Sequence, residues 1–213
     1  MKVNYVRPGT HGLTKIELLV IVGMVMLLLS ILAVWLAHPK QRLSEMTCAI
    51  RLQRIGTAFE GYASEHGGAY PMTVSPTNGG TSEYADSGRD TYKHFEIFSN
   101  SLALTEFLVC PQDSRKPAVN WQNMANSNVS YFVSVDAKST MPAAILAGDR
   151  NVTTKSSDVI TFQSGLKWVD GMGLHGASGH VLFADGHVEM LDSMALSNAI
   201  QRGGNPTNRI AVP

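Results

Sequence analysis

The sequence predicts an α+β fold in which one long N-terminal helix, its first half membrane-spanning and its second half amphipathic, packs on a small antiparallel sheet. Three observations carry that expectation. Leu18 to Ala37 is a run of 20 residues without a charge. From Leu43 to Tyr62, apolar residues recur mostly every three or four positions, the spacing of one helix face. Near the end, two apolar runs flank Asp185-Gly186, the strongest short-range signal for an antiparallel hairpin.

The uncharged run comes first. At ~1.5 Å per residue it spans roughly 30 Å, the hydrocarbon thickness of a bilayer. It is longer than the ~7–15-residue core of a secretory signal, and Pro39 follows with no Ala-x-Ala before it. A plain signal-anchor is the simple alternative. Lys2, Arg7 and Lys15 precede the run and Lys40, Arg42, Arg51 and Arg54 follow it, so counting charges does not orient it. The whole chain of 213 residues has room for one domain and a short appendage. It holds 17 basic and 17 acidic residues, a balance that speaks against a large basic nucleic-acid surface. Its hydrophobic share of 44% excludes a wholly disordered chain.

Beyond the run, Pro39 is expected to kink or restart the helix. Leu43, Met46, Ile50, Ile55, Phe59 and Tyr62 form the apolar face of an amphipathic continuation to about Glu65, and Gly67-Gly68 ends it. Residues 67–94, rich in Gly, Pro, Ser and Thr, read as loop. Phe95, Phe98, Leu102 and Phe107 suggest a short helix and then an extended stretch into Cys110-Pro111. Val129 to Val135 alternates and is β-branched, the pattern of a strand. Ala143–Ala147 and Asp158–Phe162 are weaker strand candidates. The hairpin is read with Asp185-Gly186 as a two-residue turn, which pairs Ala184 with His187 and His180 with Leu191. Asp192 or Ser193 can cap a last helix through Ile200, stopped by Gly203-Gly204.

Two cysteines, Cys48 and Cys110, lie after the apolar run and outside any Cys-x-x-Cys pair, so a zinc knuckle is not supported. They are either bridged, closing a loop of about 60 residues that would stabilise the fold by ~4 kcal/mol, or two buried free thiols. An oxidising compartment would permit the bridge.

Gly12-Leu13-Thr14-Lys15-Ile16-Glu17-Leu18-Leu19-Val20 resembles the leader junction of type IV prepilins: Gly, then Phe-Thr-Leu-Ile-Glu-Leu, then hydrophobic residues. Leu13 stands where the family usually has Phe, and Lys15 where it usually has an apolar residue. The resemblance implies cleavage by a prepilin peptidase between Gly12 and Leu13 and N-methylation of Leu13. Glu17 becomes the fifth residue of the mature chain. A carboxylate at the edge of hydrocarbon is costly without a partner. Glu17 is therefore expected to set subunit register against the amino terminus of a neighbour; the simpler alternative is that it interacts with its own helix end. The implied division is a leader over 1–12, a transmembrane helix over 13–37, an amphipathic helix over 38–66 and a periplasmic α+β head over 67–213.

Further along, His175 followed by nine residues and Asp185-Gly186 resembles the His-x9-Asp-Gly feature of pseudopilin-like proteins with such leaders. Cys110-Pro111-Gln112-Asp113 and Gly148-Asp149-Arg150-Asn151 fit the same group. The resemblance implies a pilin-like fold and a structural subunit, a pseudopilin or minor pilin. Its partners would be the prepilin peptidase, other pilin or pseudopilin subunits and an inner-membrane assembly platform, with no nucleic acid. The chain would sit in the inner membrane with a single pass and a periplasmic head.

No enzyme is expected, because no Gly-x-Ser-x-Gly elbow, His-Glu-x-x-His, P-loop or dinucleotide fingerprint occurs. No cofactor is expected either. His175, His180, His187, Asp149 and Asp185 invite a metal, but hairpin register separates His180 from His187. The plainer reading has Asp185 making the turn and His175 bonding loop backbone near it. Some secretion pseudopilins are stabilised by calcium, for which Asp149, Asp170 and Asp185 are the candidates, at a spacing unlike an EF-hand. Two other functions compete. One is a membrane-anchored periplasmic metal-binding domain or enzyme using the His175/Asp185 region. The other is an adhesive minor pilin whose 67–94 loop contacts a surface or DNA.

Overall fold

A computed structural model describes residues 12, 14–153, 160–161, 166–171, 174–203 and 209–213, and the side chains of all of these except 34–42 and 160–161. The chain divides into two compact units, Met1–Arg42 and Leu43–Pro213.

The first helix, α1, runs Lys15–Glu65. Its start is a capping box. The Thr14 N–H and Oγ1 each donate to Glu17 Oε2 at 2.8 Å, and the Glu17 N–H donates back to Thr14 Oγ1 at 3.3 Å. Thr14-x-x-Glu17 thus satisfies donors that a helix end leaves orphaned. Lys15–Ala33 is long and apolar enough to cross a membrane, and none of it is buried. Pro39 does not restart the helix: α1 is continuous through it, and the ring costs one N–H donor.

In the second unit, α1 lies on one face of a six-stranded sheet. The strands are β1 (Tyr131–Ser134), β2 (Ile145–Asp149), β3 (Ile160–Thr161), β4 (Ser178–Phe183), β5 (Val188–Asp192) and β6 (Arg209–Ala211). Their order is β3-β6-β1-β2-β4-β5 and every pairing is antiparallel. Cys48, Leu52, Ile55 and Phe59 of α1 meet Tyr131, Val133, Leu146 and Leu182. The opposite face, with Phe132, Ile145, Val181, Phe183 and Ile210, is covered by Leu196 and Ala199 of α3 (Ser193–Arg202). Side chains alternate between faces along a strand, and because both faces are covered, β1 and β2 are buried throughout. The 67–94 loop winds through short 3-10 turns. It delivers Tyr70 edge-on to Phe59, at 5.8 Å between ring centroids, and leads into α2 (Lys93–Glu96).

Several expectations are corrected. Leu43, Met46 and Ile50 are not on the buried face of α1; they are 67, 64 and 51% exposed, and Cys48 and Leu52 are buried instead. The hairpin turn has three residues, not two. Gly186 N–H donates to the Phe183 carbonyl, Phe183 N–H donates to the His187 carbonyl, and Gly186 takes φ +86°, so Ala184-Asp185-Gly186 form the loop with glycine in the left-handed position. Register slips by one residue, and His180 faces Met190 rather than Leu191. The strand expected over 143–147 runs two residues later, as β2. After α2 the chain takes 3-10 turns over Ile97–Asn100 and Thr105–Leu108. Of the 158–162 candidate, Ile160–Thr161 form β3; Asp158, Val159 and Phe162 lie outside the described residues, as does Gly204. Asp192 caps α3, accepting from Ala195 N–H at 2.7 Å. Strand β6 is not anticipated by the sequence pattern.

Candidate functional site

The residues that the sequence singles out in three separate motifs converge on the end of β2. Antiparallel pairing sets Gly148 opposite Val181, which brings Asp149 beside His180. A Cβ on Gly148 would lie 2.7 Å from Phe132 Cζ and 2.9 Å from the His180 carbonyl oxygen, so only glycine allows β2 this close. Asp149 is fully buried. Its Oδ2 accepts from His180 N–H at 2.7 Å and lies 3.3 Å from His180 Nδ1 and 3.5 Å from His175 Nε2. The two imidazoles stand edge to face, with centroids 4.5 Å apart. Both side chains are almost wholly shielded.

The chain around His175 is held in place by its neighbours. Asn151 Nδ2 donates to the carbonyls of Gly176 and Ser178 at 3.1 and 3.0 Å, and Ser178 Oγ donates to the His175 carbonyl at 2.8 Å. His175 Nε2 also sits 3.5 Å from Cys110 Sγ. Cys110 is bonded to Cys48 of α1, with Cα atoms 5.1 Å apart, so the bridge and not the free-thiol alternative is present.

Cys110-Pro111-Gln112-Asp113 ties the site to its surroundings. Gln112 Nε2 donates to Ser44 Oγ at 2.8 Å. Asp113 takes a two-pronged bond from Arg150, Nε to Oδ2 and Nη2 to Oδ1, both at 2.8 Å, and a third from Ser130 Oγ at 2.7 Å. Burial works to raise the Asp113 carboxyl, but these bonds and the Arg150 charge outweigh it and hold the group below its ordinary value. Burial pushes the His175 imidazole down; the Asp149 carboxylate opposes that shift and His180 adds to it.

Asp185 is not part of this convergence. It is at the hairpin tip, where it accepts from His187 N–H at 3.1 Å and pairs with His187 Nδ1. The expectation that His175 bonds backbone near Asp185 is therefore corrected: its ring faces Asp149, His180 and Cys110. Nor do Asp149, Asp170 and Asp185 gather as a calcium site. Asp149 is buried, while Asp170 is exposed and Asp185 is at the open tip. Among the described residues, metal-capable atoms come within 4.8 Å of one another in two groups, Asp149–His175–His180 and Cys48–Cys110–His175. The sulfurs of the second are spent on each other. No nucleophile is hydrogen-bonded to either histidine among the described residues. At the other end of the chain, Gly12 is exposed, Leu13 lies outside the described residues, and Glu17 is engaged by Thr14.

The sequence offers Asp149 as a calcium candidate beside Asp170 and Asp185, and weighs His180 only against His187 across the hairpin; the partner of His180 is Asp149, across β2 and β4. No protein-family model, curated protein or solved structure matches the chain.

Proposed function

We propose that the chain is a pilin-like structural subunit, a pseudopilin or minor pilin, trimmed after Gly12 and assembled through α1 into a type IV pilus-like filament or type II secretion pseudopilus. The observation that carries this reading is the surface of α1. Its apolar segment Lys15–Ala33 is unburied, and beyond it Leu43, Met46 and Ile50, spaced three and four apart, are exposed on the same helix whose Cys48, Leu52 and Ile55 are in the core. A tether for an enzyme needs the first feature but not the second. Burying an aliphatic side chain is worth ~1.5–3 kcal/mol, so this stripe favours a neighbouring helix over water. Within the membrane, assembly exchanges lipid contacts for helix contacts, so the gain there is small and a machine is needed to drive extraction.

Two further features support the reading. The Cys48–Cys110 bridge suits a head on the oxidising side of the membrane. The capping box presents Glu17 at the first turn of α1, where trimming at Gly12 would bring a new amino group into its vicinity. The test is the intact mass of the protein extracted from its native membrane. The expected mass is that of residues 13–213 plus one methyl group; a full-length, unmethylated chain would contradict the proposal.

A further inference from the structure

Asp149, His175 and His180 place one carboxylate oxygen and two imidazole nitrogens around a common point inside the head. A tetrahedral zinc ion, with bonds of about 2.0–2.2 Å to N and O, separates its ligand atoms by about 3.3–3.5 Å. The two edges from Asp149 Oδ2 are 3.3 Å to His180 Nδ1 and 3.5 Å to His175 Nε2, and all three atoms lie within 4.8 Å of one another. We propose that these three side chains bind a divalent transition metal, with zinc the ion that fits best.

The donor set is two nitrogens and one oxygen, which suits zinc and its neighbours and not calcium or magnesium, which take oxygen shells. The ligands are oriented in advance. His180 N–H fixes the Asp149 carboxylate, and Asn151 and Ser178 fix the segment bearing His175, the kind of outer support that metal ligands need. The charge also asks for a cation. Among the described residues, Asp149 forms ion pairs only with the two histidines, and its Oδ1 has no hydrogen-bond partner. A buried carboxylate in that state is costly. The site is closed over, so loading accompanies folding or a local opening of the 174–178 segment. The metal would then join β2, β4 and that segment, beside the disulfide that joins the same region to α1. This is independent of the filament reading, since a chain never trimmed at Gly12 would carry the same three ligands.

The experiment uses the full chain in detergent, oxidised, stripped with chelator and titrated calorimetrically with zinc chloride, with calcium and magnesium chloride in parallel. One zinc per chain is expected, with micromolar affinity or better, a thermal midpoint raised by several degrees, and no response to the other two ions. Asp149→Asn and His175→Gln should each weaken zinc binding by at least tenfold, whereas His187→Ala, at the exposed hairpin tip, should leave it unchanged. Cobalt(II) bound to the unaltered chain should give the intense visible absorption of a tetrahedral N/O site, a readout that does not depend on whether a variant folds. Absence of zinc binding, binding that survives both ligand substitutions, binding lost in His187→Ala, or an octahedral cobalt spectrum would each overturn the proposal.

Discussion

His94 shows how one residue sets a pH limit on the head. It is fully buried, with Nδ1 2.8 Å from Thr81 Oγ1. Burial lowers its pKa from 6.5 to about 4, against a smaller opposing effect from Tyr84 backbone. Above pH 6.5 neither the folded nor the unfolded chain protonates it, so it adds no pH dependence there. Below that, the unfolded chain binds a proton that the folded chain refuses until about pH 4. Stability therefore falls from pH 6.5 to pH 4, by up to about 3 kcal/mol at ~1.4 kcal/mol per pH unit. Urea unfolding at pH 7, 5 and 4 checks this: His94→Gln should remove that part of the slope, and an unchanged slope would refute the assignment. Arg150 is the second residue of this kind. Its fork fits Asp113 with two bonds, which a lysine cannot reproduce. Arg150→Lys should cost about 1–3 kcal/mol in the same measurement even though the charge is kept.

At the scale of elements, the β4–β5 hairpin and α1 show what the residue pattern could and could not reveal. Asp185-Gly186 located the turn, because glycine at φ +86° is what such a loop demands. The pattern did not distinguish a two-residue loop from a three-residue one, since both put Asp-Gly at the tip, and a slip of one residue moved every pair. Gly186→Val should cost about 1–2 kcal/mol, since a β-branched residue resists the left-handed region; thermal unfolding would detect it. For α1, periodicity marked apolar positions without saying what each would meet. Ile55 and Phe59 face the sheet, while Leu43, Met46 and Ile50 face outward, and hydrophobic spacing is the same for core and for partner. Met46→Glu should accordingly leave head stability within about 0.5 kcal/mol and still reduce polymer recovered from cells. The buried cluster at Asp149 was the least legible, because it forms across β2 and β4, strands joined by about 30 residues of chain whose register no local signal sets. Strand β6 escaped notice for a related reason, as three residues are too few to show a period.

For the whole molecule, the Cys48–Cys110 bridge closes a loop across 62 positions, from α1 to the region of the buried histidines. In the chain-entropy view such a link adds about 4 kcal/mol. Unfolding in reducing and non-reducing denaturant should differ by roughly that amount; equal curves would show the bridge to be energetically idle. The same design, a stapled head on a helix with an unfilled outward stripe, gives the chain its proposed role as a building unit. That role is tested most directly by replacing Gly12 with a bulky residue in the native host and examining sheared surface or membrane fractions for polymer containing this chain. The account expects the full-length chain to accumulate in the membrane and polymer to disappear, while the disulfide-bonded head remains folded. Polymer that forms as before from untrimmed chains would contradict it.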